Sequence, residues 1–371
     1  MAALLLPTLC AGALALSLLG RSPQESPGTQ EETPTTLGHV YFVAEDSAFA
    51  QLVAPRIAAF DSVFPLAFDP TTDQAKADPA LGAELERGES LEQSRNAQAL
   101  VLSGGSFMGW YHLAYPKGSV SYLPQVLVDA AKSKKPLFAV GGACAFLGGG
   151  VVVSREDLDE PQRNPRLAQD APEARVNLDL GPGLMFGSDS WKDSSPQRLL
   201  QAMHANQVQR AAYFVGSVML EFDRATRTLI VRGPGRVLIF DVTRARSFPR
   251  GFRAGRLSSL GEGDHWKVGS APILMGEGKQ LAEPRWISAD ALPRDGRNLN
   301  SDKPQATSRA SGLELLEWLE RPRRQKTTLE GLGAFWSMDW DERSQGQRKR
   351  DAAGRRTWLN LPFDCNWNEA R

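Results

Sequence analysis

One cysteine lies in a sequence context that is typical of a reactive side chain. Cys144 follows the apolar run 137–140 and stands between two glycine clusters, 141–142 and 148–150. A buried strand, a cramped turn with small neighbours and a helix form the nucleophile elbow of hydrolases, where N–H groups at the helix start favour a thiolate and a developing oxyanion. A strand that ends beside a buried structural cysteine produces the same pattern. This segment alone leaves both interpretations open.

Few side chains could serve this cysteine as a base, because the chain contains only four histidines. His39 opens the first predicted strand, at the end opposite a carboxyl-edge site, and His204 lies near a predicted helix end, where positive charge is favourable. His112 follows the Gly104-Gly105 loop, and His265 could fold over the site. An ordinary surface or cap role also fits each histidine, and His112 and His265 are the better candidates for catalysis.

The elements that must position these residues alternate between strands and helices. Apolar runs predict strands at 38–45, 62–68, 99–103 and 137–140, and helical spacing predicts helices at 46–60, 74–95 and 122–132. This alternation predicts an α/β fold with a doubly wound, mostly parallel sheet. Such sheets bind ligands beyond the carboxyl ends of their strands, where Gly104-Gly105 and Cys144 both fall.

The second half of the chain predicts less regular structure. A helix at 196–205, capped by Ser194 or Ser195, is followed by a small antiparallel β section with strands at 211–215, 218–222, 228–231 and 236–242. After residue 243 the pattern loosens, and the leucines 313, 316 and 319 predict one amphipathic helix. We therefore expect an α/β domain at 38–245 and an irregular C-terminal extension at 246–371 that packs on the core.

Composition gives no support for a partner that is bound through bulk charge. Lys+Arg and Asp+Glu both number 43 in 371 residues, so the net charge of zero gives no bulk electrostatic argument for nucleic acid or an anionic membrane. Four tryptophans flank a basic run at 343–356, and a solvated hairpin with inward tryptophans explains them better than a nucleic-acid site. No motif with metal-ligand or phosphate-loop spacing occurs, so we expect no metal and no cofactor.

The N-terminus predicts export. Residues 2–20 carry no charge and are mostly Ala and Leu, which is typical of a signal peptide, with a retained membrane anchor as the alternative. Residues 21–37 read as a disordered linker. Removal of residues 1–20 would leave Cys144 and Cys365, which could pair in an oxidising compartment and make Cys144 structural.

Four motifs in order resemble the cyanophycinase and dipeptidase E family of serine peptidases, which share the class I glutamine amidotransferase-like fold. Gly104-Gly105-Ser-Phe resembles the family's oxyanion loop, and Gly142-Ala-Cys-Ala-Phe resembles its Gly-Thr-Ser-Ala-Gly elbow. The segments 183–189 and 212–241 resemble the strand before its Asp-Gln-His and its closing β section. The resemblance implies Cys144 as nucleophile and the N–H groups of Gly105 and Ala145 as oxyanion hole.

The resemblance also implies roles for the neighbouring side chains. Residues expected to contact substrate are Ser106, Phe107, Asp189 and Trp191. The family's catalytic histidine falls on Trp191, and its acidic pair falls on 216–217, Gly-Ser in this chain. Related proteins with a lone elbow cysteine place a glutamate after the first strand, which makes Glu45 a candidate to orient the thiol, although a solvated turn residue also fits.

Three hypotheses follow from the motifs and their departures from the family pattern. The first is an exported hydrolase of a peptide or small amide, which uses Cys144 with Glu45 and His112. The second is a catalytically inactive relative that binds a peptide or small ligand in the same cleft. The third makes Cys144 half of a disulfide with Cys365. The motifs assign no oligomeric state.

Overall fold

The computed structural model describes sixteen segments of the chain. They are 38–44, 48–68, 89–105, 107–114, 121–148, 180–191, 195–249, 251–269, 273–274, 276–277, 279–282, 312–319, 327–331, 334–338, 344–347 and 356–367. The predicted signal, linker and most of the predicted helix 74–95 lie outside them. So do Glu45 and Ser106.

The described elements alternate between strands and helices in the first half and are mostly strands afterwards. The strands are β1 (His39–Val43), β2 (Val63–Ala67), β3 (Ala99–Ser103), β4 (Leu137–Val140), β5 (Met185–Ser188), β6 (Arg210–Val215), β7 (Met219–Asp223), β8 (Thr228–Arg232), β9 (Arg236–Asp241), β10 (Arg246–Phe248), β11 (Gly251–Leu260), β12 (His265–Lys267), β13 (Ile273–Leu274), β14 (Leu281–Ala282), β15 (Thr327–Gly331), β16 (Ala334–Met338), β17 (Gln345–Gln347) and β18 (Trp358–Trp367). The helices are α1 (Ala54–Ile57), α2 (Glu89–Asn96), α3 (Phe107–Ala114), α4 (Tyr122–Lys132), α5 (Gly142–Leu147), α6 (Pro196–Ala205) and α7 (Gly312–Leu319), and a π-helical turn covers Phe49–Val53.

The predicted parallel strands form one half of the first sheet, up to its edge. Its order within the described residues is β13-β12-β8-β7-β1-β4-β3-β2. Strands β1, β4, β3 and β2 pair in parallel, and β7 pairs antiparallel with β1. The predicted strands of this region are confirmed. Strands β1 and β4 are buried along their whole length, as expected of continuous apolar runs inside a parallel sheet.

A second sheet replaces the small β section that the sequence predicts. Its order in the described part is β14-β17-β18-β11-β9-β6-β5, with β5 and β6 parallel. The strands predicted at 211–242 do not form a unit of their own, because β6 and β9 lie in this sheet while β7 and β8 extend the first sheet. The prediction of one doubly wound sheet with a small β section was therefore wrong. The fold is α/β with two mixed sheets.

Residues after 245 are not an irregular extension where the structure describes them. They contribute strands to both sheets, including the ten-residue strands β11 and β18. Two bulges interrupt this pairing, and each coincides with a residue at positive φ, Ala254 (57°) and Asn360 (57°). Each bulge shifts the alternation of side chains along its strand. These bulges explain why the alternation of apolar and polar residues is weak in the sequence of β11 and β18.

Helix boundaries follow local signals. Helix α4 begins after Ser121, whose hydroxyl accepts a hydrogen bond from the Leu123 N–H, and α6 begins after Ser195 with Pro196 in its first turn, as predicted. The single helix predicted at 46–60 is instead a π-helical turn followed by the four-residue α1. Pro55 lies at the start of α1, and it cannot donate the hydrogen bond that a continuous helix would need.

A buried ionic cluster joins three strands of the first sheet. Glu221 on β7 is only 5% exposed, and its carboxylate lies 2.8 Å from His39 Nδ1 on β1. Its other oxygen accepts a hydrogen bond from Arg232 Nε on β8 at 3.0 Å. Burial alone would raise the pKa of Glu221, but the hydrogen bonds from His39 and Arg232 hold it below its ordinary value.

Replacing this carboxylate gives a pH-dependent loss of stability. Because the pKa of Glu221 is depressed in the folded state, its stabilisation is present above the unfolded value of about 4.3 and is lost as the pH falls through the folded value. We expect Glu221→Gln to lower the free energy of unfolding by roughly 3 kcal/mol at neutral pH. Urea unfolding from neutral to acidic pH should show the deficit shrinking. A deficit that is constant with pH contradicts this account, and the exposed Glu92→Gln serves as control.

Candidate functional site

The turn between β4 and α5 is formed by a glycine. Gly141 follows Val140 directly and has φ 63° and ψ −131°, a conformation that side-chain-bearing residues rarely adopt. Its N–H donates to the Val43 carbonyl at 3.0 Å, which joins the turn to β1. A Cβ added at Gly141 would meet no atom of the described residues within 4 Å. The described residues therefore leave the space beside this turn open at the carboxyl end of the first sheet.

Cys144 lies three residues beyond this turn and faces the protein interior. It is 0% exposed and belongs to the apolar core cluster that contains Ala143 and Phe146. Its Sγ lies 3.2 Å from the carbonyl oxygens of both Val43 and Ala139, which share its single S–H donor. These two carbonyls belong to adjacent strands, so the thiol holds α5 against β1 and β4.

This environment favours the neutral thiol. Burial raises the pKa of Cys144 well above its ordinary value, although the backbone hydrogen bonds oppose this effect. Reactive cysteines have depressed pKa values in partly exposed, electropositive surroundings, which is the opposite situation. The predicted thiolate therefore has no support from the geometry around Cys144.

The second cysteine of the described residues is also buried and free. Cys365 lies on β18, and burial raises its pKa as well. It packs in a core cluster beside the second sheet, whereas Cys144 packs in the cluster around the first sheet. The disulfide considered from the sequence is therefore not formed, and Cys144 is structural for a different reason.

Asp189 binds a helix of the C-terminal region. One carboxylate oxygen accepts hydrogen bonds from the Tyr213 hydroxyl at 2.9 Å and from the Gly312 N–H at 2.6 Å. The other accepts from the Leu313 N–H at 2.9 Å. Free N–H groups at a helix start attract carboxylates, so Asp189 caps α7. Its acceptor sites serve the fold, whereas the resemblance assigns this residue to substrate binding.

Trp191 is likewise engaged within the fold. Its indole N–H donates to the Ala44 carbonyl at 2.8 Å, and its ring packs against the first core cluster. The Ser190 hydroxyl donates to the same carbonyl at 3.2 Å. The indole therefore neither accepts a proton nor offers a free donor, and it fixes the end of β5 beside the end of β1.

The predicted oxyanion loop is closely packed. Gly104 and Gly105 have φ of 72° and 66°, and a Cβ on Gly105 would lie 2.5 Å from the Phe68 ring. The Trp110 indole donates to the Gly104 carbonyl at 3.0 Å and meets Phe68 edge to face. A side chain at either position would therefore strain the backbone, and at Gly105 it would also clash with Phe68. Ala145, the other predicted oxyanion donor, is 3% exposed as the fourth residue of α5.

The structure brings some predicted residues together and separates others. Gly104-Gly105 and the β4–α5 turn share the carboxyl edge of the parallel strands, as predicted. The backbones of Phe107 and His112 lie in α3, but their side chains are outside the described part. His39 lies at the opposite end of β1, and His265 pairs with Ile230 on β8. Within the described residues, no predicted base contacts Cys144.

Sequence reasoning missed the position of Gly141. The signal was present, because two glycines follow the strand directly and a turn at positive φ selects glycine. The family motif instead drew attention to the cysteine three residues later.

No metal-binding group of three or more His, Cys, Asp or Glu occurs in the part of the chain that the structure describes. In the same part, no helix has the length and apolar character needed to cross a membrane. In comparisons with known proteins, no family model and no curated protein matches this sequence.

The burial of Cys144 predicts that native protein resists alkylation at this position. We expect iodoacetamide to leave the Cys144 peptide unmodified in native protein and to modify it in denaturant, as read by mass spectrometry. The matched control is Gly141→Cys, whose thiol would face open space and react in the native state. Rapid native labelling of Cys144 would contradict the geometry described above.

The capping carboxylate gives a second prediction. Asp189→Ala leaves the Tyr213 hydroxyl and two α7 N–H groups without this acceptor, so we expect a loss of about 1–3 kcal/mol in the free energy of unfolding. Amide hydrogen exchange at Gly312 and Leu313 should become faster. Asp189→Asn keeps one acceptor and should lose less. Unchanged exchange at both amides would show that Asp189 does not hold the helix.

Proposed function

We propose that the protein is a catalytically inactive relative of the cyanophycinase-like peptidases and that it binds a peptide or small ligand at the carboxyl edge of its first sheet. The observation that carries this proposal is the glycine at the β4–α5 turn. In a nucleophile elbow, the reactive residue itself occupies the strained turn between strand and helix. Here the turn residue is Gly141, which has no side chain.

The state of Cys144 also supports an inactive protein. Hydrolysis through this thiol would require it to leave the core, which breaks its contacts with two carbonyl groups and displaces α5 from the sheet. The position of the family's histidine holds Trp191, whose indole N–H is already bonded to Ala44. Nucleophilic catalysis needs an activated, accessible nucleophile, and neither condition holds for Cys144.

The topology of the first sheet supports the position of the ligand. Ligands of open α/β sheets bind outside the carboxyl ends of strands, where connections from neighbouring strands lead away in different directions. After β1 the chain runs to the distant edge strand β2, and after β4 it runs to the second sheet. Gly141 lies at the end of β4, near the end of β1, and the described residues leave the space beside it open. Its missing side chain leaves room for a ligand.

A panel of di- and tripeptides tests this proposal by thermal shift. We expect at least one peptide to raise the melting temperature of the wild type and of Cys144→Ala equally. Gly141→Leu should lose the shift because the leucine fills the ligand position. A side chain at positive φ also costs roughly 1–3 kcal/mol of stability. Gly183→Leu is the matched control, since Gly183 has φ 71° and an equally open Cβ position.

Mass spectrometry of the same mixtures distinguishes binding from hydrolysis. We expect every peptide to remain intact after incubation with the protein. Cleavage by the wild type that disappears in Cys144→Ala would overturn the proposal and favour the cysteine hydrolase. Absence of a thermal shift with the entire panel would exclude peptides as the ligand class.

A further inference from the structure

Exposed cations collect at the edge of the fold opposite the candidate ligand site. We name them the basic face and define it by seven exposed residues: Lys132, Lys134, Arg227, Arg244, Arg246, Arg253 and Lys267. Four of them, Lys132, Lys134, Arg227 and Lys267, lie at helix ends, turns and strand ends around the first sheet. The remaining three lie on β10, on β11 and in the segment before β10.

Strand pairing places the first-sheet cations at one edge. Lys132 and Lys134 lie just before β4, whose first residue is paired with Val40 near the start of β1. Arg227 lies in the turn between β7 and β8, and Lys267 pairs with Thr228 at the start of β8. All of these positions are at the end of the sheet where β1 begins.

The arginines of the second sheet lie at the same edge. Strands β1 and β5 run in the same direction, because Phe42 stacks on Phe186 and Ala44 accepts a hydrogen bond from Ser190. Strand β6 is parallel to β5 and begins at Arg210, which pairs with Asp241. The chain continues from Asp241 into the β10–β11 hairpin. The hairpin therefore lies at the amino-terminal end of the parallel strands.

The β10–β11 hairpin places like charges opposite each other, which is unfavourable in an antiparallel pair. Arg246 stands directly opposite Arg253, and like charges in this arrangement destabilise an antiparallel pair. Residues 242–261 contain five arginines and no Asp or Glu. The Arg253 guanidinium lies 5.5 Å from the centre of the Phe248 ring. Such an arrangement is expected where an external anion supplies the missing counter-charge.

The carboxylates described near this edge are engaged and leave an excess of cations. Asp129 pairs with Arg95 at 3.1 Å, and Asp241 pairs with Arg210 at 3.0 Å. Asp223 accepts hydrogen bonds from the Ala225 and Thr226 N–H groups, and Asp364 accepts one from the Ala254 N–H. Asp223, Asp364 and the exposed Asp61, which lies just before β2, compare with the seven exposed cations of the basic face.

We propose that the basic face docks on the surface of an anionic lipid membrane. The first described residue, Gly38, lies at this same edge, and in the sequence it follows the apolar residues 2–20 and the segment 21–37. If the N-terminal segment is inserted in a bilayer, this edge of the fold is the one tethered nearest to it. Basic surfaces add to a hydrophobic anchor by attraction to anionic headgroups.

Nucleic acid fits these observations less well. Proteins that bind single strands offer open aromatic rings on which bases stack. In the hairpin, the Arg253 guanidinium already lies over Phe248, which is partly buried. The lipid surface requires only the distributed positive charge.

Vesicle sedimentation of the full chain tests this proposal. The probes are vesicles of phosphatidylcholine alone and vesicles that also contain phosphatidylglycerol. Insertion of the apolar N-terminal segment would contribute equally to both kinds, so the difference in partitioning between them reports the basic face. We expect stronger binding to the anionic vesicles, and a decrease of this difference at high salt.

Charge variants assign the effect to named residues. The triple variant R244Q/R246Q/R253Q should lower partitioning to anionic vesicles by on the order of a hundredfold. The matched control R244K/R246K/R253K keeps the charge and should bind like the wild type. K132Q/K134Q/K267Q provides an independent set if the hairpin variant does not fold, as judged by circular dichroism.

Three results would overturn the proposal. They are equal binding of the wild type to both vesicle types, unchanged binding of every folded glutamine variant, and a preference for duplex DNA over anionic vesicles at the same salt concentration. This test is independent of the ligand site, since none of the substituted residues lies at the carboxyl edge of the sheet.

Discussion

The contact of the Cys144 thiol with the carbonyls of Val43 and Ala139 sets the geometry of the candidate site. It holds the short helix α5 against the adjacent strands β1 and β4 of the first sheet. Because the thiol points inward, the described part of the β4–α5 turn presents glycine backbone outward, including that of Gly141. A conformation that presents a nucleophile in an active hydrolase thus presents an empty position in this protein.

Polar groups elsewhere are also used to join segments of the chain. Asp189 binds the first residues of α7, and Trp191 binds the end of β1. Asp264 is fully buried, and its carboxylate accepts hydrogen bonds from Thr357 and from two backbone N–H groups and pairs with Lys279 at 2.8 Å. These contacts make the late part of the chain integral to both sheets. Asp189 and Trp191, which the resemblance assigns to substrate binding, instead hold segments of the fold together.

The sequence allowed prediction of elements whose signals are local. Strands β1 and β4 are continuous apolar runs, and α6 has its cap residue and proline in place. The second sheet escaped prediction because its long strands contain bulges and pair with partners far away in the sequence. The orientation of Cys144 could not be predicted for a geometric reason. A shift of a few residues in the turn redirects a side chain from solvent to the core, and a glycine-rich sequence does not show which residue occupies the turn. The assignment to a peptidase family stays a prediction.

The central claim is that Cys144 is a buried, neutral thiol that holds α5 in place. The ionisation of this thiol tests the claim most directly. Thiolate absorbance in the ultraviolet can be followed during a pH titration of native protein, with Cys144→Ala as the reference. Our account predicts no difference between the two proteins across the neutral range, because burial holds the pKa of Cys144 well above its ordinary value. A thiolate signal at neutral pH that is absent from Cys144→Ala would contradict the account and restore Cys144 as a candidate nucleophile.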